Sequence, residues 1–160
     1  MRGYRNNEEA NKEVFFNAHG KKFFRTGDLG RMVEGKFLKI TGRIKEQYKL
    51  ENGEYVVPAP LEDALTRSQF IAQTLVYGDN KPFNVVLVVG DVIELRAWSA
   101  KQGLPFGPES TLAEMVAHDD VIKLLNDELR AVSGTLKGFE RPQKWVALEE
   151  AFSPDNQMLT

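Results

Sequence analysis

The segment FRTGDLG, at positions 24–30, holds one carboxylate in a stretch flanked by glycines. A carboxylate in such a turn can accept two hydrogen bonds from neighbouring hydroxyl groups, as on the vicinal diol of a sugar. Asp28 is therefore a candidate ligand for a ribose. The same residue types also favour turns for purely local reasons, so a simple turn is the alternative interpretation.

A second candidate segment begins at Gly42-Arg43, about fifteen residues further along the chain. The guanidinium of Arg43 is planar and always charged, so at a strand end it could bind a phosphate or a ribose oxygen. In the loop that follows, Asn52-Gly53 would let the backbone approach a ligand closely. The alternative is an exposed hairpin with alternating lysine and glutamate. Neither segment is decisive without the other.

The rest of the sequence contains none of the common complete catalytic sites. His19 and His118 lie far apart, and no cluster of His, Cys or Asp has the spacing of metal ligands. There is no phosphate-binding P-loop, dinucleotide fingerprint or nucleophile elbow. Basic and aromatic residues are not interleaved along one helix, so we expect no nucleic acid partner.

Composition indicates a globular protein, since 42% of the 160 residues are hydrophobic and 28% are charged. The absence of cysteine excludes disulfides and fits a reducing compartment. The net charge of −2 is divided unevenly: residues 1–50 carry 12 Lys/Arg against 6 Asp/Glu, and residues 51–160 carry 9 against 17. The basic first part could face an anion, although a solvated basic surface has the same charge. The longest apolar run, residues 85–89, is too short to span a bilayer.

Turn signals predict short antiparallel strands and turns over the first 57 residues. Asn6 or Asn7 could cap a short helix, and residues 23–26 have the composition of a strand. Two further turn signals, Glu34-Gly35 and Asn52-Gly53, predict hairpins.

From residue 58 onwards the pattern alternates between helices and strands. The first predicted helix covers residues 61–67, and three more start at Asp91, Thr111 and Asp119. The last of these has an apolar face formed by Ile122, Leu125, Leu129 and Val132. The predicted strands are residues 71–77, 84–89 and 144–148, and the apolar run at 85–89 indicates a central strand buried on both faces. This order predicts an α+β fold with helices packed on a mostly antiparallel sheet.

Taken together and in this order, the two candidate segments resemble motifs of the adenylate-forming superfamily, which comprises acyl-CoA synthetases, luciferases and peptide-synthetase adenylation domains. FRTGDL at 24–29 is similar to the family's YRTGDL motif, and GRIK at 42–45 with Glu62 is similar to its GRxK…xE hinge motif. KLENGEYV at 49–56 is similar to the form found in long-chain fatty acyl-CoA synthetases. The resemblance covers nearly the whole chain.

The resemblance implies a role for each matching residue. Asp28 would bind the 2′- and 3′-hydroxyls of the AMP ribose, and Arg43 would hydrogen-bond the same ribose. Lys45 would be the hinge on which a C-terminal domain rotates between adenylation and thioester formation. Gly53 and Glu54 would then help to line the tunnel for the pantetheine arm of CoA.

The resemblance also implies a domain organisation, with residues 1–43 as the tail of a large N-terminal domain and residues 44–160 as the mobile C-terminal domain. The parent would be an ATP-dependent long-chain fatty acid–CoA ligase. Its Mg²⁺ would be bound through the large domain, and the adenylation lysine is expected beyond Thr160. We therefore assign no catalytic residue here, and expect the fragment to be inactive alone and to self-associate through exposed apolar surface.

Two other interpretations stay open. A relative of the same family could activate another carboxylic acid or transfer it to an acyl carrier protein. A free-standing, non-catalytic binding module could also use this fold. We expect a cytoplasmic location, and peripheral association of the intact enzyme with a membrane stays open.

Overall fold

The computed structural model of the protein describes residues 3–159. Their backbone divides into two compact units between Glu46 and Gln47, three residues after the boundary predicted at 43/44, which stays a prediction. The mixture of helices and small, mostly antiparallel sheets confirms the predicted α+β class.

The first unit consists of one helix, two antiparallel hairpins and a closing 3-10 turn. Its elements in chain order are helix α1 (Glu8–Val14), strands β1 (Phe15–Ala18), β2 (Lys21–Phe24), β3 (Asp28–Val33) and β4 (Phe37–Arg43), and the turn Ile44–Glu46. The Asn7 side chain caps α1 by accepting a hydrogen bond from the Ala10 backbone N–H at 3.0 Å, which confirms one of the two predicted caps. The hairpin between β3 and β4 at Glu34-Gly35 is also confirmed.

Strand β1 was not predicted, because its first residues follow a polar stretch that indicates only a helix. It forms through pairing with β2, where Phe15 lies opposite Phe24 and Phe16 opposite Phe23. The ring centroids of these two pairs lie 5.2 and 5.5 Å apart, close enough for favourable aromatic contacts. Cross-strand pairing of this kind is not visible in a local sequence window.

The side chains of the first unit are exposed or half-buried. Within residues 3–46 no residue is fully buried. The hairpin of β3 and β4 exposes four large apolar side chains by 56–65%: Met32, Phe37, Leu38 and Ile40. The unit is therefore held together by backbone pairing and aromatic contacts rather than by a buried core.

The second unit contains the remaining elements. In chain order they are β5 (Tyr48–Lys49), β6 (Tyr55–Val56), α2 (Pro58–Leu65), β7 (Ile71–Tyr77), β8 (Asn84–Gly90), α3 (Val92–Gln102), α4 (Leu112–Val116), α5 (Asp119–Ser133), the 3-10 turn Gly138–Glu140 and β9 (Pro142–Ala147). Strand β8 lies at the centre of a three-stranded sheet, with β7 antiparallel on one side and β9 parallel on the other. The central position predicted for this strand is thus confirmed, but its predicted burial on both faces is wrong, because Val85 and Leu87 are only half-buried.

A single hydrophobic core holds the second unit together. Alternate residues of β8, Val86 and Val88, are at most 1% exposed and belong to the same cluster as buried residues of the helices. The helices contribute Leu61, Leu65, Leu95, Met115, Val121, Leu125 and Leu129. The opposite face of the sheet is more open, since Leu75 and Val146 are 42% and 57% exposed.

Two predicted helix starts need correction. Helix α5 is capped by His118 instead of Asp119, because the His118 Nδ1 accepts a hydrogen bond from the Asp120 backbone N–H at 3.3 Å. Its fully buried positions therefore begin at Val121, and Ile122 is only half-buried. Helix α2 starts at Pro58, earlier than predicted, because proline is tolerated in a first turn whose N–H groups have no partner within the helix.

The other predicted helix caps are present. The Asp91 carboxylate accepts two backbone N–H groups at the start of α3, and Thr111 forms a capping box with Glu114 at the start of α4. No helix within residues 3–159 combines the length and apolar character needed to cross a membrane.

Candidate functional site

Asp28 and Arg43 are opposite one another at the open end of the β3–β4 hairpin. The Arg43 Nε donates a hydrogen bond to the Asp28 Oδ1 at 3.2 Å. The Arg43 side chain is 63% exposed and that of Asp28 is 30% exposed. An ion pair this exposed contributes only about 0–1 kcal/mol to stability, so the fold does not depend on it. Its exposure also leaves it accessible to a ligand.

The residues around Asp28 fix the backbone from which its side chain extends. The Thr26 Oγ1 accepts a hydrogen bond from the Asp28 backbone N–H at 3.1 Å. Between them, Gly27 has a φ of +79°, a conformation that residues with a side chain rarely adopt. The Gly27 carbonyl accepts a hydrogen bond from the Ile44 backbone N–H at 2.8 Å, which closes the open end of the hairpin.

A β-bulge lies directly beside the pair. Leu29 lies opposite Gly42 and Gly30 opposite Ile40, so Thr41 is an extra residue on β4. Bulges increase the local twist and redirect side chains, and they are common next to functional sites. The bulge, together with the φ of +150° at Gly42, sets the backbone from which Arg43 extends.

Hydrogen-bonding capacity remains on both members of the pair. Within residues 3–159, the Asp28 carboxylate accepts one side-chain hydrogen bond, that from the Arg43 Nε, and the terminal nitrogens of Arg43 donate none. The pair thus offers carboxylate acceptors next to guanidinium donors. A vicinal diol, whose hydroxyls both donate and accept, is complementary to this arrangement.

Lys45 occupies the middle of the 3-10 turn Ile44–Glu46, and all three residues of the turn are exposed. The turn ends where the chain divides into its two units. Hinges are commonly a few residues in loops or at the ends of elements, which absorb the change in φ and ψ. This position is compatible with the hinge role that the family resemblance implies for Lys45, and the role stays a prediction.

Gly53 and Glu54 lie in the tight turn that joins β5 to β6, as predicted. Gly53 has a φ of +92°, and both residues are exposed. The turn is held by three hydrogen bonds: Gly53 N–H to the Leu50 carbonyl at 2.9 Å, Leu50 N–H to the Glu54 carbonyl at 2.9 Å, and Glu54 N–H to the Asn52 Oδ1 at 3.0 Å. The sequence thus builds a defined, exposed backbone loop at this point.

The motif residue Glu62 makes a contact within the second unit. Its Oε1 accepts a hydrogen bond from the Val76 backbone N–H at 2.7 Å, which joins α2 to β7. Across residues 3–159, no three His, Cys, Asp or Glu side chains gather closely enough to hold a metal ion.

Sequence reasoning missed one polar pair, formed by the half-buried Tyr48 and the buried Asn84. The Tyr48 hydroxyl donates a hydrogen bond to the Asn84 Oδ1 at 2.6 Å, and Asn84 is fully buried. Burial, reinforced by the negative charge of Glu62, raises the pKa of Tyr48 well above its ordinary value of 10.0. The available signal was a single polar residue at the start of the otherwise apolar strand NVVLVVG.

Comparison with solved structures places this fold among adenylate-forming enzymes. The chain superimposes on the A domain of a carboxylic acid reductase from Segniliparus rugosus, determined with AMP and a co-purified carboxylic acid, with a TM-score of 0.69 and 25% identity. The match covers 97% of this chain and 22% of that one. This likeness defines the class of protein.

Sequence comparison defines the family. The sequence model of the AMP-binding enzyme C-terminal domain matches residues 45–133, and the chain therefore belongs to the AMP-binding enzymes. It is 36% identical to long-chain-fatty-acid–CoA ligase 1 of Cavia porcellus over 84% of its length. It is 32% identical to long-chain-fatty-acid–CoA ligase FadD15 of Mycobacterium tuberculosis over 99% of its length. It spans 19% and 25% of these two relatives, respectively.

Proposed function

We propose that this chain acts as the C-terminal part of an ATP-dependent long-chain fatty acid–CoA ligase. The observation that carries the proposal is the 36% and 32% identity to two long-chain-fatty-acid–CoA ligases over most of the chain. Such an enzyme first joins a fatty acid to ATP, giving acyl-AMP and pyrophosphate. It then transfers the acyl group to the thiol of CoA and releases AMP.

In the first half-reaction, Asp28 and Arg43 bind the ribose of the nucleotide. The carboxylate accepts hydrogen bonds from the two ribose hydroxyls, and the Arg43 nitrogens that are not bound to Asp28 donate to the ribose oxygens. The exposure of the pair and its remaining hydrogen-bonding capacity support this assignment. The chain's own contribution at this step is binding and orientation, with Mg²⁺ held by the large domain.

In the second half-reaction, rotation about Lys45 brings the Gly53-Glu54 turn to the acyl-adenylate. The position of Lys45 in an exposed 3-10 turn at the end of the first compact unit, one residue before its last residue Glu46, supports a hinge. The exposed backbone of Gly53, which has no side chain to obstruct a narrow tunnel, suits contact with the pantetheine arm.

One other activity within the family has an observation in its favour. The A domain of the carboxylic acid reductase, which superimposes on 97% of this chain, belongs to an enzyme that is not named as a CoA ligase. An enzyme that activates another carboxylic acid, or that transfers the acyl group to a carrier protein, would use the same Asp28–Arg43 pair. The two candidates differ in their acceptor and in the acid they select.

The proposal is tested with the full-length protein that contains this chain. Exchange of pyrophosphate into ATP is measured with fatty acids of increasing length, and acyl transfer is measured with CoA and with a carrier protein. The ligase proposal requires exchange that depends on a long-chain acid, followed by formation of acyl-CoA. Exchange only with short or aromatic acids, or transfer only to the carrier protein, would favour the alternative. The cytoplasmic location expected from the sequence is tested separately by cell fractionation.

A further inference from the structure

The Asn84 side chain joins three elements of the second unit. Its Oδ1 accepts the hydroxyl of Tyr48 from β5 at 2.6 Å. Its Nδ2 donates to the carbonyls of Phe139 at 3.0 Å and Glu140 at 3.1 Å, in the 3-10 turn Gly138–Glu140. A fully buried amide with three hydrogen bonds is costly to leave unpaired, so Asn84 fixes the positions of its partners.

The hairpin of β5 and β6 is attached to the neighbouring loop by its backbone. The Glu51 N–H donates to the Lys81 carbonyl at 3.0 Å, and the Asn80 N–H donates to the Lys49 carbonyl at 2.9 Å. The loop that provides these two partners runs directly into Asn84 at the start of β8. A displacement of Asn84 would therefore also move the turn that contains Gly53, because the loop at residues 80–83 connects the two.

Close packing at Gly78 restricts this connection further. A Cβ added at Gly78 would lie 3.0 Å from the Leu50 Cδ2 and would collide with the Asn84 amide oxygen. Leu50, which starts the β5–β6 turn, is only 3% exposed. The turn is thus packed, as well as hydrogen-bonded, against the residues that surround Asn84.

We propose that Tyr48 and Asn84 are positioning residues for the acceptor half-reaction, holding the Gly53-Glu54 turn in the orientation in which it contacts the pantetheine arm of CoA. This inference rests on the function proposed above. Neither residue is assigned a contact with substrate. Since Tyr48 lies three residues after Lys45, its hydrogen bond also fixes the first strand that follows the hinge.

The test compares Tyr48→Phe with Tyr77→Phe in the full-length protein. Both substitutions remove one hydroxyl, but that of Tyr77 makes no hydrogen bond within residues 3–159, and its ring lies 6.0 Å from that of Tyr48. Acyl-adenylate formation and acyl transfer to CoA are measured separately. We expect Tyr48→Phe to lower kcat/KM for CoA by about three- to tenfold, the effect of one neutral hydrogen bond, and to leave adenylation within about twofold. Tyr77→Phe should change neither.

Unchanged use of CoA in Tyr48→Phe, or an equal loss in both half-reactions, would overturn the inference in favour of a purely structural pair. A second readout does not depend on activity. The Gly53 and Glu54 amides should exchange with deuterium faster in Tyr48→Phe than in the wild type or Tyr77→Phe, and equal rates in all three would also overturn it. If the wild type forms no adenylate with any fatty acid, the proposed function fails while hydrogen exchange still decides whether the pair positions the turn.

Discussion

Asp28 and Arg43 form an ion pair at 3.2 Å across the open end of one hairpin, although the Arg43 side chain is 63% exposed. A pair so exposed adds little to the free energy of folding. Its backbone setting, with a bulge and two glycines at positive φ, is nevertheless closely defined. If the pair binds the nucleotide as proposed, its substitution should therefore affect binding more than the free energy of folding.

Asp28→Asn keeps the shape of the side chain and removes its charge. We expect the KM for ATP in pyrophosphate exchange to rise by about 10- to 100-fold, because hydrogen bonds to a charged group are worth about 1.5–3 kcal/mol. The melting temperature should change little, since the pair is exposed. Asp63→Asn, at an exposed position of α2, is the matched control and should affect neither quantity. A large loss of thermal stability with an unchanged KM would show that Asp28 serves the fold.

Arg43→Gln, alone and combined with Asp28→Asn, extends this test. If both residues bind one ribose, the effects of the two single substitutions on the KM for ATP should not add, because each disrupts the same site. A double variant whose loss equals the product of the two single losses would instead indicate that Arg43 and Asp28 bind the nucleotide independently.

Lys45→Pro should separate the two half-reactions. Proline fixes its own φ and disfavours a helical conformation at Ile44, so it limits the backbone change that a hinge requires. We expect adenylation to be retained within about threefold and acyl transfer to CoA to fall by more than about tenfold. Lys45→Ala leaves the backbone free and serves as the control. An equal loss in both half-reactions would argue against a hinge at this residue.

Gly53→Ala tests the turn that is proposed to meet CoA. The added Cβ would lie 3.8 Å from the Lys49 Cε, an ordinary contact, so the cost comes from the φ of +92° and amounts to about 1 kcal/mol. Gly35→Ala, with a φ of +66° and nothing within 4 Å, introduces the same strain in the other hairpin. We expect similar losses of thermal stability from both, but slower acyl transfer only from Gly53→Ala. Equal transfer rates would remove Gly53 from the acceptor site.

The raised pKa of Tyr48 predicts a loss of stability at alkaline pH. Below pH 10 both the folded and the unfolded chain keep the phenol proton, whereas above it the unfolded chain releases a proton that the folded chain retains. The free energy of unfolding should therefore decrease as pH rises above about 10, by at most about 1.4 kcal/mol per pH unit and less where solvent screens the site. Chemical denaturation at pH 9 to 11 should give a shallower slope for Tyr48→Phe than for the wild type. Equal slopes would contradict the shift.

Much of the fold could be predicted because its signals are local. The capping residues Asp91 and Thr111, the turn glycines Gly35 and Gly53, and the apolar run at 85–89 each determine structure within a few residues. The candidate site was likewise found from short motifs. Asp28 and Arg43 were expected to bind the same ribose, and the hairpin places them side by side.

The features that were missed depend on partners distant in sequence. Strand β1 forms because its phenylalanines lie opposite those of β2. Asn84 binds Tyr48, 36 positions earlier, and backbone carbonyls 55 and 56 positions later. A lone asparagine before an apolar run does not reveal such partners, because they are brought together only by tertiary packing.

The parallel pairing of β8 with β9 has a consequence for how the protein is made. The two strands are separated by residues 91–141, so their pairing must close a long loop, whereas β7 and β8 can pair as soon as both have left the ribosome. Until Pro142–Ala147 is synthesised, β8 is an edge strand that presents a run of five apolar residues. The nascent chain therefore passes through a stage prone to aggregation, which ends when β9 pairs with β8.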